Sequence, residues 1–106
     1  MPNYIIAYHG GEKPATPEDG QKQMQKFMNW VGELGEKMVN PGTPLGMSKI
    51  VSSTGITDET SPNRLTGFSI VKADDMDAAL EIAKSCPFLE MGTIEVAEVM
   101  EMKPPA

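Results

Sequence analysis

Several residue types that define common classes of protein are scarce in this sequence. A single cysteine excludes an internal disulfide and is compatible with a reducing compartment. Only one arginine, Arg64, is present, and 15 acidic against 9 basic residues give a net charge of −6, which argues against nucleic-acid binding because phosphates need clustered lysine and arginine. No apolar run of 18 residues exists, and the first residues lack the basic segment of a signal peptide. We therefore expect a cytoplasmic protein without membrane or nucleic-acid partners.

The abundance of hydrophobic residues indicates a folded domain. The chain has 106 residues, of which 40% are hydrophobic, and this is enough to bury a core without disulfides. We expect one domain over residues 1–106. Nine methionines are present, and we interpret them mainly as flexible core filler.

The last third of the chain predicts a strand, a helix and a strand. Residues 65–72 are rich in β-formers, and their alternation brings Phe68 and Ile70 to one apolar face. The next helix is expected to begin at an Asp74 cap and to end at Pro87, because proline cannot continue a helix. Residues 93–102 are predicted as the closing strand, with Ile94 and Val96 facing one way and Glu95 and Ala97 the other.

The first third predicts a strand and a helix. Residues 4–8 are apolar or aromatic on both faces, which is typical of a strand covered on both sides. Thr16 and Pro17 predict a helix start, and Gly35 is placed to end that helix after Leu34. Its buried stripe is expected to consist of Met24, Phe27, Met28, Val31 and Leu34, with Trp30 at the edge.

The middle of the chain is less regular. Residues 37–40 are expected to be a short extension after the helix, and residues 47–53 are predicted as the second strand. Residues 54–64 are polar and predict a long connection between two strands.

The predicted order is therefore β-α-β-β-α-β, which fits an α+β sandwich with two helices on one face of a four-stranded antiparallel sheet. The first and third strands are central in that topology. The face away from the helices is expected to carry Ile5 and Ala7, together with the small or apolar Gly67, Ser69 and Val71. A second copy of the chain would cover such a face most simply, so we expect a homodimer through the sheet.

Three segments carry a resemblance to a known family. They read GFSIV at residues 67–71, DMDAALEIAKSCP at residues 75–87 and GTIEV at residues 92–96. In these segments the chain closely resembles the YCII-related family, and the likeness extends over nearly the whole sequence. The resemblance implies a ferredoxin-like domain of the dimeric α+β barrel type, which pairs its sheet across a homodimer.

Two features expected from relatives are missing. One subgroup of the family carries an Asp-Gly-Pro-Phe motif, where this sequence reads TDETSP at residues 57–62. Founding members have a histidine in the first helix as part of a proposed His–Asp pair, whereas this helix carries Gln21, Gln23 and Gln25. The one activity proposed for the family therefore does not carry over by residue, and the family's biochemical role is largely undefined.

His9 is the one side chain whose ordinary pKa lies near neutrality, and it ends a predicted central strand before two glycines. As a functional residue it would act as a general base or bind a ligand, with Asp58 or Asp19 as its carboxylate. The alternative is a structural histidine at the rim of the sheet or in the dimer interface. The sequence favours this alternative, because it has one histidine and no partner residue at a spacing typical of a catalytic site.

Other candidate sites are weaker. Cys86 lies at a helix C-terminus, where a thiolate is disfavoured, and one histidine with one cysteine does not favour a zinc site. The glycines form no phosphate-binding loop, so no metal and no cofactor are expected.

Two functions remain open from the sequence. The first is a homodimeric domain that binds a small molecule between the helices and the sheet, where the candidate pocket residues are Tyr8, His9, Trp30, Met47 and Phe68. The alternative is a cofactor-free isomerase, lyase or oxygenase that acts on small aromatic or polyketide-like substrates with His9 as base. This alternative follows only from analogy to the fold. A purely structural or regulatory interaction module is a third possibility.

Overall fold

The computed structural model describes residues 1–11, 16–58 and 63–100. Six strands and two helices lie in this part of the chain, together with short 3-10 helices at Gly35–Lys37 and Pro87–Glu90. The elements in order are β1 (Asn3–Gly10), α1 (Pro17–Leu34), β2 (Met38–Asn40), β3 (Lys49–Ser52), β4 (Gly55–Asp58), β5 (Leu65–Lys72), α2 (Met76–Lys84) and β6 (Gly92–Glu98).

Four strands form an antiparallel sheet in the order β2-β5-β1-β6. Strands β1 and β5 are central, as the sequence predicted. Both helices contribute to a core on one face of this sheet, where Trp30 from α1 and Ala79 and Ile82 from α2 join buried residues of the central strands. The predicted α+β sandwich is therefore confirmed.

Local capping sets the helix limits. The Thr16 hydroxyl accepts a hydrogen bond from the Asp19 amide, Pro17 opens α1, and Gly35 ends it at a positive φ of 55°, as predicted. The predicted cap of α2 is wrong by one residue. Asp75 and not Asp74 is extended at this position, and its carboxylate accepts from the Ala78 amide at 2.8 Å.

The register of the central strands corrects the predicted faces of β5. Ile5 lies opposite Ile70 and Ala7 opposite Phe68, so these four side chains share the face that points away from the helices. Gly67, Ser69 and Val71 instead face the helices, opposite Tyr8, Ile6 and Tyr4. The assignment of those three residues to the outer face is therefore wrong.

The buried stripe of α1 is narrower than predicted. Trp30 is buried, and Phe27, Val31 and Leu34 pack against the core. Met24 and Met28 are exposed, because the core contacts the side of α1 on which Trp30 lies. The assignment of both methionines to the buried stripe is wrong.

The edge strand beside β5 is also not the predicted one. Met38–Asn40 takes this position, and the edge continues through a bridge between Pro44 and Gly67. Residues 47–53 leave the sheet, and Lys49–Ser52 pairs with Gly55–Asp58 in a separate two-stranded hairpin. The predicted connection at residues 54–64 thus contains a strand, and its residues 59–62 lie outside the described part of the chain.

The closing strand ends earlier than predicted, at Glu98. Ile94 and Val96 pack on the core, and Glu95 and Ala97 point the other way, as expected. The predicted residues 101 and 102 lie outside the described residues.

Gly42 is expected to be intolerant of a side chain. Its φ is +76°, and a Cβ placed there would lie 1.7 Å from the Phe68 carbonyl oxygen. Gly42→Ala combines left-handed strain of about 1–2 kcal/mol with displacement of the edge from β5, so we expect a loss of at least about 2 kcal/mol in urea unfolding. Gly46→Ala is the control, because a Cβ there meets nothing within 4 Å. Equal stability of the two variants would contradict this placement of the edge.

Candidate functional sites

A β-bulge shapes the end of β1 at His9. Tyr8 lies opposite Gly67 and His9 opposite Leu65, so Thr66 has no partner across the pair. The Thr66 hydroxyl bridges the irregularity and donates to the carbonyl oxygens of Tyr8 and Gly10 at 3.2 and 2.9 Å. Bulges of this kind bend the strand, increase its twist and change the direction of a side chain. The His9 backbone is therefore held by several contacts.

Both nitrogens of the His9 ring have oxygen partners. Nε2 lies 3.0 Å from Glu95 Oε1, and Nδ1 lies 3.1 Å from the Asn63 carbonyl oxygen. A carbonyl oxygen and a carboxylate both accept, so the doubly protonated ring satisfies both contacts as a donor. The Asn63 side chain is in turn held by the Thr93 hydroxyl at 3.0 Å. The arrangement fixes the orientation of the imidazole and places a carboxylate against it.

The face of the sheet opposite the helices is called the open face below. Its central part is apolar, and His9 and Glu95 lie toward one end of it. The residues that the register of β1 with β5 and β6 places on this face are Asn3, Ile5, Ala7, His9, Leu65, Phe68, Ile70, Lys72, Thr93, Glu95 and Ala97. None of its large apolar side chains is fully buried in a single chain.

On the inner face, Tyr8 begins a buried chain of hydrogen bonds. The Ser69 hydroxyl donates to the Pro41 carbonyl oxygen at 2.7 Å, so the Tyr8 hydroxyl donates to Ser69 Oγ, also at 2.7 Å. Burial raises the pKa of the Tyr8 phenol far above its ordinary value. Burial likewise raises the pKa of the neighbouring Cys86 thiol. Both groups stay protonated near neutrality, and Cys86 is not an activated nucleophile.

Aromatic rings fill the space between Tyr8 and the helices. The Tyr8 ring lies 4.9 Å from the Phe88 ring and 6.4 Å from the Phe27 ring, which lies 5.7 Å from Trp30. The Trp30 indole N–H donates to Ser85 Oγ at 2.9 Å. This region is packed core.

An open cleft of about 440 Å³, called the cavity below, lies farther along, between the two helices and the end of β5. Its walls are mainly apolar, and Lys37, Lys72, Asp74 and Glu81 contribute charged groups. Glu81 is engaged by Lys84 at 3.0 Å. Within residues 1–11, 16–58 and 63–100, neither Lys37 nor Lys72 has a carboxylate within salt-bridge distance. The apolar residues of the lining are Met1, Leu34, Ala73, Ala78 and Ile82, and Ser85 completes it.

The structure separates the residues predicted for one pocket. Tyr8 and Trp30 lie in the core between sheet and helices, whereas His9 and Phe68 lie on the open face. Met47 is 89% exposed in the connection that leads to the hairpin. None of the five lines the 440 Å³ cavity.

The carboxylate beside His9 is Glu95 and not Asp58. Asp58 lies at the base of the exposed hairpin, where it pairs with Lys49 at 3.3 Å. Asp19, the other candidate, lies in the first turn of α1. Glu95 was missed because it comes from the last strand. Gly10 lies opposite Gly92, and aligning these two strand ends would have placed Glu95 near His9.

Two features are absent from residues 1–11, 16–58 and 63–100. No group of three metal-ligating side chains was found among them. Their helices include none with the length and apolar character needed to cross a bilayer.

These features define an α+β domain of the ferredoxin-like type, in which one face of an antiparallel sheet carries two helices. The model of the YCII-related domain matches residues 4–103, so the chain belongs to the YCII-related family. This confirms the resemblance seen in the sequence. The search of curated proteins found no match.

Two solved structures are similar to this chain. The first is 5-chloro-2-hydroxyhydroquinone dehydrochlorinase (TftG) from Burkholderia phenoliruptrix in complex with 2,5-dihydroxybenzoquinone, with 15% identity and a TM-score of 0.57 over 94% of this chain and 95% of that one. The second is At3g17210 from Arabidopsis thaliana, with 14% identity and a TM-score of 0.46 over 99% of this chain and 100% of that one. At such identity the first likeness shows the shared fold alone.

Proposed function

We propose that the protein is a homodimeric domain that binds a small molecule between its helices and its sheet. The observation that carries the proposal is the cavity of about 440 Å³ bounded by both helices and the end of β5. Its volume lies within the range of ligand pockets, about 300–1,000 Å³. The sequence pointed to the same layer of the fold, although with other residues.

The lining of the cavity favours a ligand with an apolar body and an acidic group. Leu34, Ala78 and Ile82 offer apolar surface, and the lining also includes Lys37 and Lys72, neither of which has a salt-bridge partner in the described part of the chain. Of the two carboxylates that line the cavity in the described part of the chain, Glu81 pairs with Lys84, whereas Asp74 is in no salt bridge. With Lys84 counted beside its partner Glu81, the charged side chains at the cavity sum to one net positive charge. We therefore propose a small apolar carboxylate as the ligand class.

The open face supports the homodimer. Ile5, Ala7, Phe68 and Ile70 form its apolar centre and remain accessible in a single chain. Contiguous apolar surface of this kind marks an interaction site, and a two-fold axis lets one patch cover its own copy. The apolar centre of the open face and the space between the helices lie on opposite sides of the sheet.

Octanoate is expected to raise the thermal midpoint of the wild-type protein, with 1-octanol as the uncharged comparison. A ligand at about 100 times its Kd stabilises a protein by about 2.7 kcal/mol, which corresponds to a shift of several degrees for a domain of this size. The double variant Lys37→Ala/Lys72→Ala is expected to lose most of the octanoate shift. Lys22→Ala removes an exposed lysine of α1 that does not line the cavity and is expected to keep the shift.

A second variant tests the cavity without changing charge. Ala78→Leu places a larger side chain in the lining. It is expected to weaken the binding of octanoate and of its longer homologues alike. An octanoate shift that persists in both the lysine and the Ala78 variants would contradict binding in this cavity. If no small apolar carboxylate raises the thermal midpoint of the wild-type protein, the proposed ligand class is contradicted.

The geometry at His9 favours one alternative, a cofactor-free enzyme of isomerase, lyase or oxygenase type on small aromatic or polyketide-like substrates. The supporting observation is the contact of His9 Nε2 with Glu95 at 3.0 Å, since a carboxylate that orients an imidazole is a common part of acid–base sites. The ligand of the TftG structure, 2,5-dihydroxybenzoquinone, supplies a first probe. Loss of its binding in His9→Ala, with octanoate binding unchanged, would favour this alternative over the cavity.

A further inference from the structure

The hairpin β3–β4 is an apolar extension that the described part of its own chain leaves uncovered. Each of its eight residues is exposed. Val51 and Ile56 lie opposite each other and are 74% and 67% exposed, and Ile50 is 49% exposed. Three β-branched apolar side chains in so short a segment are unusual on a surface that remains in water.

The hairpin has little to hold it in isolation. A two-stranded hairpin is at best marginally stable in water unless it packs on a further apolar surface. Lys49 and Asp58 pair at its base, and Ser52 Oγ lies 2.9 Å from Thr54 Oγ1 at its turn. Such exposed polar contacts contribute little to the stability of the hairpin. Burial of Val51 and Ile56 against another surface would supply the stability that these contacts do not.

The attachment of the hairpin connects it to the open face. The Leu45 amide donates to the Thr66 carbonyl oxygen at 2.9 Å, and Pro44 bridges Gly67. This part of β5 lies next to Phe68, which belongs to the apolar centre of the open face. The segment that leads into the hairpin therefore leaves the edge of the sheet beside the surface on which the proposed partner lies.

Charge at the hairpin does not oppose a second copy as the occupant. The chain carries a net charge of −6, so two copies repel each other wherever acidic surfaces meet. The hairpin has one lysine and one aspartate that neutralise each other, and its apolar pair carries no charge. It can contact a like-charged copy without that penalty.

We infer that the hairpin β3–β4 is an arm that packs Val51 and Ile56 against a second copy of this chain. The inference rests on the proposed homodimer and adds to the open face a second contact area from outside the sheet. In a two-fold dimer each copy gives one arm and receives the other.

The arm is tested by sedimentation equilibrium on Val51→Ser/Ile56→Ser. We expect the dimer Kd to rise at least tenfold, because two apolar side chains lose their burial in each copy. Met24→Ser/Met28→Ser is the matched control, since it removes two exposed apolar side chains from the helix side, and its Kd is expected to stay unchanged. Hydrogen exchange of the wild type gives an independent measurement. The hydrogen exchange of the amides of residues 49–58 should be slower at protein concentrations above the Kd than at concentrations below it.

The outcomes distinguish the arm from the dimer itself. A wild-type dimer whose Kd is unchanged in Val51→Ser/Ile56→Ser would overturn the arm and leave the homodimer standing. A wild type that stays monomeric at every concentration would overturn both. Hairpin amides protected equally at all concentrations would show that the arm lies on its own chain, which also overturns the inference.

Discussion

Ile70→Glu is expected to convert the proposed dimer into a monomer of 11.5 kDa. Ile70 lies opposite Ile5 in the apolar centre of the open face. In a two-fold interface one substitution buries two like charges without partners, and each such charge costs several kcal/mol. Since 1.4 kcal/mol is a factor of ten, we expect the Kd to rise by at least about 100-fold. Light scattering after gel filtration measures the mass directly.

The control for this substitution is Leu80→Glu. Leu80 is an exposed apolar residue of α2, on the helix side of the sheet, and the change in net charge is identical. This variant is expected to remain a dimer. Circular dichroism should show that both variants are folded, because neither side chain is fully buried within one chain. A dimeric Ile70→Glu protein would contradict the assignment of the interface to the open face.

Trp30→Ala is expected to lose about 3–5 kcal/mol of unfolding free energy, a large part of the 5–15 kcal/mol that is typical for a domain. Trp30 is 3% exposed, packs beside Phe27 and donates its indole N–H to Ser85. Removing the ring leaves a cavity between α1 and the sheet and also removes the donor for Ser85. Urea unfolding followed by circular dichroism gives the free energy, because the variant lacks the fluorescent indole.

Two variants separate packing from other effects. Met28→Ala lies on the same helix, where the side chain is 53% exposed, and should change stability by no more than about 0.5 kcal/mol. Trp30→Phe keeps much of the packing and should fall between these values. Comparable losses in Met28→Ala and Trp30→Ala would show that α1 presents a different side to the core.

The parts of the fold that local sequence sets were predictable. Thr16, Pro17 and Gly35 define α1 through capping and backbone geometry within a few residues of each end. The central position of β1 and β5 followed from the order of the elements and the topology that such an order favours.

The inner face of β5 was not predictable from hydrophobicity. Phe68 and Ile70 are more apolar than Gly67 and Ser69, yet the smaller residues face the helices. The reason is space, since a Cβ at Gly67 would lie 3.1 Å from the Tyr8 ring and Ser69 supplies the partner for the Tyr8 hydroxyl. Small residues opposite a large aromatic side chain are a property of the pair, and the pairing is visible only once the register is known.

The candidate sites were predictable only in part. His9 at the end of a central strand was evident, but Glu95 lies 86 residues away along the chain and reaches it through the β1–β6 register. Lys37 and Lys72 lie far apart in sequence and share the cavity only because α1 ends beside the end of β5. No local motif encodes such proximity.

The central claim is that the open face binds a second copy of the chain, and sedimentation equilibrium of the wild-type protein over a wide concentration range tests it most directly. The account predicts a reversible change from 11.5 kDa to twice that mass, and a dimer that predominates at micromolar concentration. A mass that remains 11.5 kDa at every concentration would contradict it, because the apolar centre of the sheet would then face water.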